Sequence, residues 1–100
     1  MYKSKIDPRL IQALDHAAPN DGVQAVVVVN SPTGLPLPKA ESEAMLRDFV
    51  DRASKDVNVS PNKVVLFPYV QSFSIEAEPK LLNRILEDDS IDAATLNQAY

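Results

Sequence analysis

Apolar residues recur along the chain at two spacings, one typical of strands and one typical of helices. Residues 23–30 are β-branched and almost continuously apolar, which predicts a central strand. Residues 71–78 alternate between apolar and polar positions, which predicts a half-buried strand. Lys63–Phe67 is predicted as another strand, and Pro68 favours an edge position because it cannot donate a ladder hydrogen bond. Ile91–Leu96 completes the set as a short last strand.

Three segments have helical periodicity. Residues 6–18 begin with Asp7 as a candidate cap and Pro8 at the first helical position. Residues 41–57 have an apolar stripe that predicts a long amphipathic helix. A third helix is predicted to begin at Pro79 and to end before the acidic residues 88–90.

The order of these elements predicts the fold class. After the first helix the order is strand, helix, strand, strand, helix, strand, which is two split βαβ units. We therefore expect an α+β, ferredoxin-like sandwich: a four-stranded antiparallel sheet with two helices on one face, plus an extra N-terminal helix. Right-handed crossovers place the first and third strands in the middle of the sheet. Residues 1–22 are interpreted as a helical extension, and residues 23–100 as the domain.

Such a sheet leaves one face without helices, and strand periodicity predicts its side chains. In the last strand the polar side chain of Asp92 is expected to point toward the open face, and by alternation the side chain of Leu96 would point the same way. The predicted face is flat and partly apolar and consists of Val26, Val28, Ser72, Ser74 and Ala94. Two interpretations remain open: the first helix folds back over this face, or the face binds a partner.

Composition and charge exclude several functions. The net charge of −4 argues against nucleic-acid binding, which depends on neutralising phosphates. Cysteine is absent, which excludes disulfides, cysteine-ligated zinc and thiol nucleophiles. The longest apolar run, residues 25–29, is far shorter than the roughly 18 residues of a membrane span. No signal peptide is visible, so a cytoplasmic location is expected.

Candidate catalytic and metal-binding residues are few. The single histidine, His16, stands at the end of the first predicted helix, and no nucleophile motif accompanies it. The acidic residues 87–92 lack the spacing and the glycine of a calcium loop. We therefore expect no enzyme activity, no metal site and no cofactor. A hypothesis of catalysis would rest on His16 alone.

The second half of the chain resembles a known family. The segment PYVQSFSIEA at residues 68–77, a leucine-rich helix, and EDDSI at residues 87–91 follow one another as in the subtilisin propeptide-like inhibitors. The resemblance covers residues 23–100 and rests on the order and spacing of these pieces. It implies a ferredoxin-like fold and, as partner, a subtilisin-type serine protease. The protein is then expected to be an inhibitor, monomeric when free, with a chaperone-like role possible through the same contacts.

The resemblance also implies which residues bind the protease. Tyr100 would fill the primary specificity pocket, while Asn97, Gln98 and Ala99 would pair as an extended strand beside the active-site cleft. Thr95 and Asn97 stand where the family often has acidic residues that cap protease helices, and Leu96 lies between them. The open sheet face would cover a pair of protease helices.

A second hypothesis assigns the same fold another role. A ferredoxin-like regulatory module could pair with itself through the open sheet face. The two hypotheses differ in the tail, because an inhibitor needs Tyr100 and its neighbours, whereas a self-pairing module does not.

Overall fold

A computed structural model of the chain describes residues 6–30 and 37–97. Its elements are α1 (Pro8–His16), β1 (Val23–Val29), α2 (Lys39–Val57), β2 (Lys63–Phe67), a 3₁₀ turn (Pro68–Val70), β3 (Ser72–Ala77), α3 (Pro79–Leu86) and β4 (Ile91–Leu96). All predicted helices and strands are present, and their ends differ from the predicted ones by at most two residues.

The strands form one antiparallel sheet in the order β2–β3–β1–β4. The fold is therefore α+β with three helices, compatible with a ferredoxin-like sandwich that has an extra N-terminal helix. The predicted central positions of β1 and β3 are confirmed, and so is the edge position of β2, whose last residue precedes Pro68.

The core lies between the sheet and the helices. Every second residue of β1 is buried, beginning with Val23, as expected for a strand with one face packed. Phe73 of β3 is fully buried, and its ring centroid lies 6.1 Å from that of Phe49 in α2. Helix α3 contributes its leucine and isoleucine stripe to the same core. The face of the sheet that contains Phe73 is therefore the one covered by helices.

Helix α1 packs on the helical side of the sheet and leaves the opposite face uncovered. Asp7 caps the helix by accepting a hydrogen bond from the Arg9 backbone N–H at 2.9 Å, and Pro8 occupies the first turn, as predicted. Leu10 and Leu14 are buried in the common core, and the helix contacts α3, β4 and β1. Of the two interpretations of the open face, coverage by α1 is thus wrong.

The sequence-based phase of β4 is also wrong. Val28 of β1 pairs with Ala93, but Val29 pairs with Ile91, so Asp92 is an extra residue in a β-bulge. Since one extra residue inverts the alternation that follows it, Ala94 points into the core and is 1% exposed. Leu96 packs against the core as well.

Candidate interaction face

The open face of the sheet is a grid of three cross-strand rows. Residues directly opposite one another on neighbouring strands project from the same face, so the register assigns each row. The rows, each written in the strand order β2, β3, β1, β4, are Lys63, Glu76, Gln24, Asn97; Val65, Ser74, Val26, Thr95; and Phe67, Ser72, Val28, Ala93. The face is polar at the Asn97 end and becomes apolar toward Phe67.

Four of the five predicted face residues lie on this grid. Val26, Val28 and Ser74 are half-buried, and Ser72 is buried although it belongs to the same phase. Ala94 does not belong to the face, because the bulge at Asp92 turns it into the core.

The sequence pattern did not assign Lys63, Val65, Phe67 or Ala93 to this face, and Thr95 was predicted as a protease contact but not as part of the sheet face. Ala93 and Thr95 occupy the positions that the bulge makes available. Val65 and Phe67 of β2 are 39% and 42% exposed and extend the apolar part of the face to the sheet edge. The sequence does contain a signal for Val65 and Phe67. Side chains alternate between the two faces along Lys63–Phe67, and the pairing of β2 with β3 puts Val65 directly opposite Ser74 and therefore on the open face.

The polar row is organised by one hydrogen bond. The Gln24 side-chain Nε2 donates to Glu76 Oε1 at 2.9 Å, joining the two central strands. Together with Lys63, Val65 and Asn97 these residues line a shallow depression of about 120 Å³. Gln24 and Asn97 in this row, and Thr95 in the next row, provide uncharged hydrogen-bonding groups beside the charged Lys63 and Glu76.

Asn97, the last described residue of the C-terminal part, lies in this polar row. Asn97 is exposed, and its backbone N–H donates to the Gln24 carbonyl at 2.9 Å, which continues the strand pairing one residue beyond β4. Gln98, Ala99 and Tyr100, the predicted cleft-binding residues, lie outside the described residues.

The N-terminal segment lies along the outer edge of β4. Ile6 forms a parallel bridge with Ala94, and the Asp7 backbone N–H donates to the Ala94 carbonyl at 2.9 Å. The Asp7 carboxylate accepts from the backbone N–H of Leu96 at 3.3 Å. Hydrogen bonds from Arg9 hold the pKa of Asp7 below its ordinary value. The bond from the Arg9 side chain contributes most, and the bond from its backbone N–H comes second.

The remaining candidate residues are not brought together into a reactive group. His16 is exposed at the last position of α1, where its Nδ1 lies 2.8 Å from the Gln12 carbonyl oxygen. Asp88 accepts hydrogen bonds from the Ser90 hydroxyl and backbone N–H in the turn before β4. Desolvation acts to raise the pKa of Asp88, but these hydrogen bonds and nearby arginines outweigh it and lower the pKa. Across residues 6–30 and 37–97, no cluster of three histidine or acidic residues is placed to bind a metal ion.

Comparison with protein-family models, with curated proteins and with solved structures finds no match for this chain. No helix in the described part of the chain is long and apolar enough to cross a membrane.

Proposed function

We propose that this protein inhibits a subtilisin-type serine protease by docking its open sheet face on the protease surface and extending the residues after Asn97 into the active-site cleft. The observation that carries the proposal is the position of Asn97, which belongs to the polar row of the open face and directly precedes Gln98–Tyr100 in the sequence. A protein docked through this face would therefore present its C-terminal residues at the border of the same interface.

The side chains of the face suit a helical partner surface. Val26, Val28, Ser74 and Ala93 are small, which lets the backbone of a partner helix approach closely. Thr95 is exposed in the middle row, next to the polar end of the face, and threonine accepts hydrogen bonds from the free N–H groups of a helix N-terminus. Apolar contact in the third row and capping at the polar end would then act together.

The tail would bind as an added strand. An extended segment gains affinity from backbone hydrogen bonds and specificity from alternate side chains, with Tyr100 in the primary pocket. Docking of the folded domain makes tail binding effectively intramolecular, which raises the overall affinity. The same contacts would favour the native state of the protease by mass action, which is the basis of the chaperone-like role. A cytoplasmic location belongs to the same proposal.

The experiment is a titration of a subtilisin-type protease with three forms of the protein: the full chain, a form lacking Gln98–Tyr100, and Val28→Asp. We expect stoichiometric inhibition by the full chain and strong weakening in the other two, because one lacks the tail and the other buries an unpaired charge in the docking face. Lys80→Glu, an exposed position on α3, is the control and should inhibit like the wild type. Absence of inhibition by the full chain against several subtilisins would overturn the proposal.

The alternative is a regulatory module that self-associates through the open face. The exposure of Val65 and Phe67, next to the apolar third row, favours it, because exposed apolar patches mark interfaces. Val28→Asp would then abolish self-association, while removal of Gln98–Tyr100 would leave it unchanged. The truncated form therefore separates the two functions.

A further inference from the structure

A groove runs between helix α2 and strand β2 on the helical side of the sheet. Within the described part of the chain β2 pairs with β3 alone, so the backbone groups of its other edge are available to an added strand. Helix α2 forms the second wall, and the groove has a volume of about 610 Å³. Val64 and Leu66, both half-buried, line it with apolar surface. An open strand edge of this kind is where extended peptides bind by strand addition.

The helical wall of the groove bears charges of alternating sign. The charged residues that line it follow one another at four-residue intervals along α2 and are Lys39, Glu43, Arg47 and Asp51. Arg47 pairs with Glu43 at 3.1 Å within the helix, yet its side chain remains 67% exposed. Four residues of helix advance about 6 Å, and two residues of strand advance about 6.6 Å. The charges therefore repeat at nearly the spacing of alternate side chains on an extended strand.

Two contacts determine how this row of charges lies along β2. The Ser42 hydroxyl donates to the Pro68 carbonyl at 2.7 Å. Lys39 Nζ lies 5.7 Å from the centroid of the Tyr69 ring. The start of α2 therefore lies beside the end of β2. Because residues 58–62 connect the end of α2 to the start of β2, the helix and the strand run in opposite directions.

The serine hydrogen bond also gives the level of two charges along the strand. Counted from this bond, Arg47 lies about 7.5 Å along the helix and Leu66 about 6.6 Å along the strand. Counted in the same way, Asp51 lies about 13.5 Å along the helix and Val64 about 13.2 Å along the strand. All four side chains line the groove, in agreement with these levels. Arg47 is therefore level with Leu66, and Asp51 is level with Val64.

An added strand would present some of its side chains to these two charges. Val64 and Leu66 face the helices, because each lies directly opposite a buried residue of β3. Residues of an added strand opposite these two would face the same side of the sheet. The residue opposite Val64 would then stand beside Asp51, and the residue opposite Leu66 beside Arg47. A basic side chain at the first position and an acidic one at the second would complement the wall.

Neither a second β2 nor the remaining parts of this chain supply such a pair of charges. A second copy paired through β2 would bring only Val64 and Leu66 to the helical side. The parts of the chain outside the described residues, which are 1–5, 31–36 and 98–100, contain no acidic residue. The occupant that complements the wall is therefore a segment of another protein.

We propose that the groove binds an extended segment of another protein, added antiparallel to β2. In this segment an acidic residue beside Arg47 is followed, two positions later, by a basic residue beside Asp51. The antiparallel direction is favoured because its hydrogen-bond ladder is the more stable one per residue. Backbone hydrogen bonds to β2 would supply affinity, and the charges would select the register. The site is independent of the proposed inhibition, because β2 and β4 are opposite edges of the sheet.

The test uses two short synthetic peptides with blocked ends, and fluorescence anisotropy measures their binding. The first has glutamate and, two positions later, lysine among threonine and valine residues, and the second has these two charged residues exchanged. We expect the wild type to bind the first peptide about tenfold more tightly, because the second meets like charges at both positions. The double variant Arg47→Glu with Asp51→Lys should reverse this preference. Backbone amide shifts in NMR spectra should change most in Lys63–Phe67.

Two further variants serve as controls, and circular dichroism checks that every variant is folded. Arg52→Glu makes the same charge change on the same helix and also removes an ion pair, to Asp48 at 3.0 Å, but Arg52 lines the cleft between α2 and α3. Val28→Asp alters the open face instead. Both should keep the affinity and the preference of the wild type.

Four results would overturn the proposal. The wild type binds neither peptide up to millimolar concentration, or it does not prefer the first one. The double variant keeps the wild-type preference. Arg52→Glu or Val28→Asp abolishes binding. The largest amide shifts lie in β4 rather than in β2. None of these results bears on protease inhibition, which is measured separately.

Discussion

The Asp7 carboxylate accepts a hydrogen bond from the backbone N–H of Leu96 at 3.3 Å, across 89 positions of the sequence. The same aspartate caps α1, so one side chain fixes both the start of the first helix and the edge of the last strand. Ile6 and Leu10 on either side of it are buried in the common core. Residues 6 and 7 are therefore a structural part of the sheet edge at β4.

Replacement of Asp7 by asparagine should change how folding responds to acid. The pKa of Asp7 is lowered in the folded state by the Arg9 hydrogen bonds and, to a lesser degree, by the Leu96 N–H. Its ionised form therefore stabilises the fold above the unfolded pKa, and this contribution is lost as the pH falls through the folded pKa. We expect the wild type to exceed Asp7→Asn in free energy of unfolding above about pH 4, and the difference to shrink in more acidic solution.

Urea unfolding at several pH values measures this difference. Asp15→Asn, at an exposed position of the same helix, controls for the loss of a carboxylate from α1. A gap between the wild type and Asp7→Asn that is constant from neutral to strongly acidic pH would contradict the prediction.

Phe73 and Phe67 offer a comparison between the two faces of the sheet. Phe73 is fully buried against Phe49, whereas Phe67 is 42% exposed on the open face. Phe73→Ala should lower the free energy of unfolding by about 3–5 kcal/mol through lost burial and a residual cavity. Phe67→Ala should cost much less, and chemical denaturation of both variants tests this. Equal losses would show that the open face is packed in solution, for instance against a partner copy.

The sequence predicted the fold well because most of its signals are local. The cap at Asp7, the proline at position 68 and the apolar run of β1 each determine an element or its place without reference to distant residues. Details of the pairing between distant strands were harder to predict from the sequence. The bulge at Asp92 depends on how β4 meets β1, and no residue of Ile91–Leu96 signals it, so Ala94 was placed on the wrong face.

The position of α1 was open for a similar reason. An amphipathic helix at the start of the chain can cover either face of a sheet, and its own pattern does not distinguish them. What distinguishes them is the hydrogen bonding of Ile6 and Asp7 to β4, which directs the helix to the side of α3. The cavity of about 610 Å³ between α2 and β2, which Arg47, Val64 and Tyr69 help to line, could likewise not be predicted, because this requires knowing that α2 and β2 run side by side.

Asn58 ends α2 in the left-handed conformation, with φ of 55°. Glycine adopts this conformation without a steric clash, and asparagine tolerates it because its short polar side chain can hydrogen-bond locally. Alanine has the β-carbon that clashes but no polar group that compensates for it. Asn58→Ala should therefore lower the free energy of unfolding by about 1 kcal/mol, while Asn58→Gly should leave it equal or slightly higher. Thermal unfolding of the pair measures this, and an alanine variant as stable as the glycine variant would contradict it.

Ser42 connects the start of α2 to the end of β2. Its side chain is fully buried, and its hydroxyl donates to the Pro68 carbonyl at 2.7 Å. Ser42→Ala leaves this carbonyl without the serine donor and should cost about 1–3 kcal/mol in free energy of unfolding. Ser60→Ala, at an exposed position, is the control. A negligible loss in Ser42→Ala would mean that water or another group replaces the hydroxyl.

Thr95 allows the proposed docking to be tested by charge alone. It is exposed in the middle row of the open face, opposite Val26 and next to the polar end, and its replacement should have little effect on folding. If this end of the face meets the N-terminus of a protease helix, a negative charge there is favourable because it faces the positive end of the helix dipole. Thr95→Asp should then lower the inhibition constant about two- to fivefold, and Thr95→Lys should raise it by a similar factor. Raised salt should diminish both effects, since the charges are at the rim of the interface.

Aspartate and lysine variants that shift the inhibition constant in the same direction would mean that Thr95 faces no helix N-terminus, and the docking orientation would have to be revised.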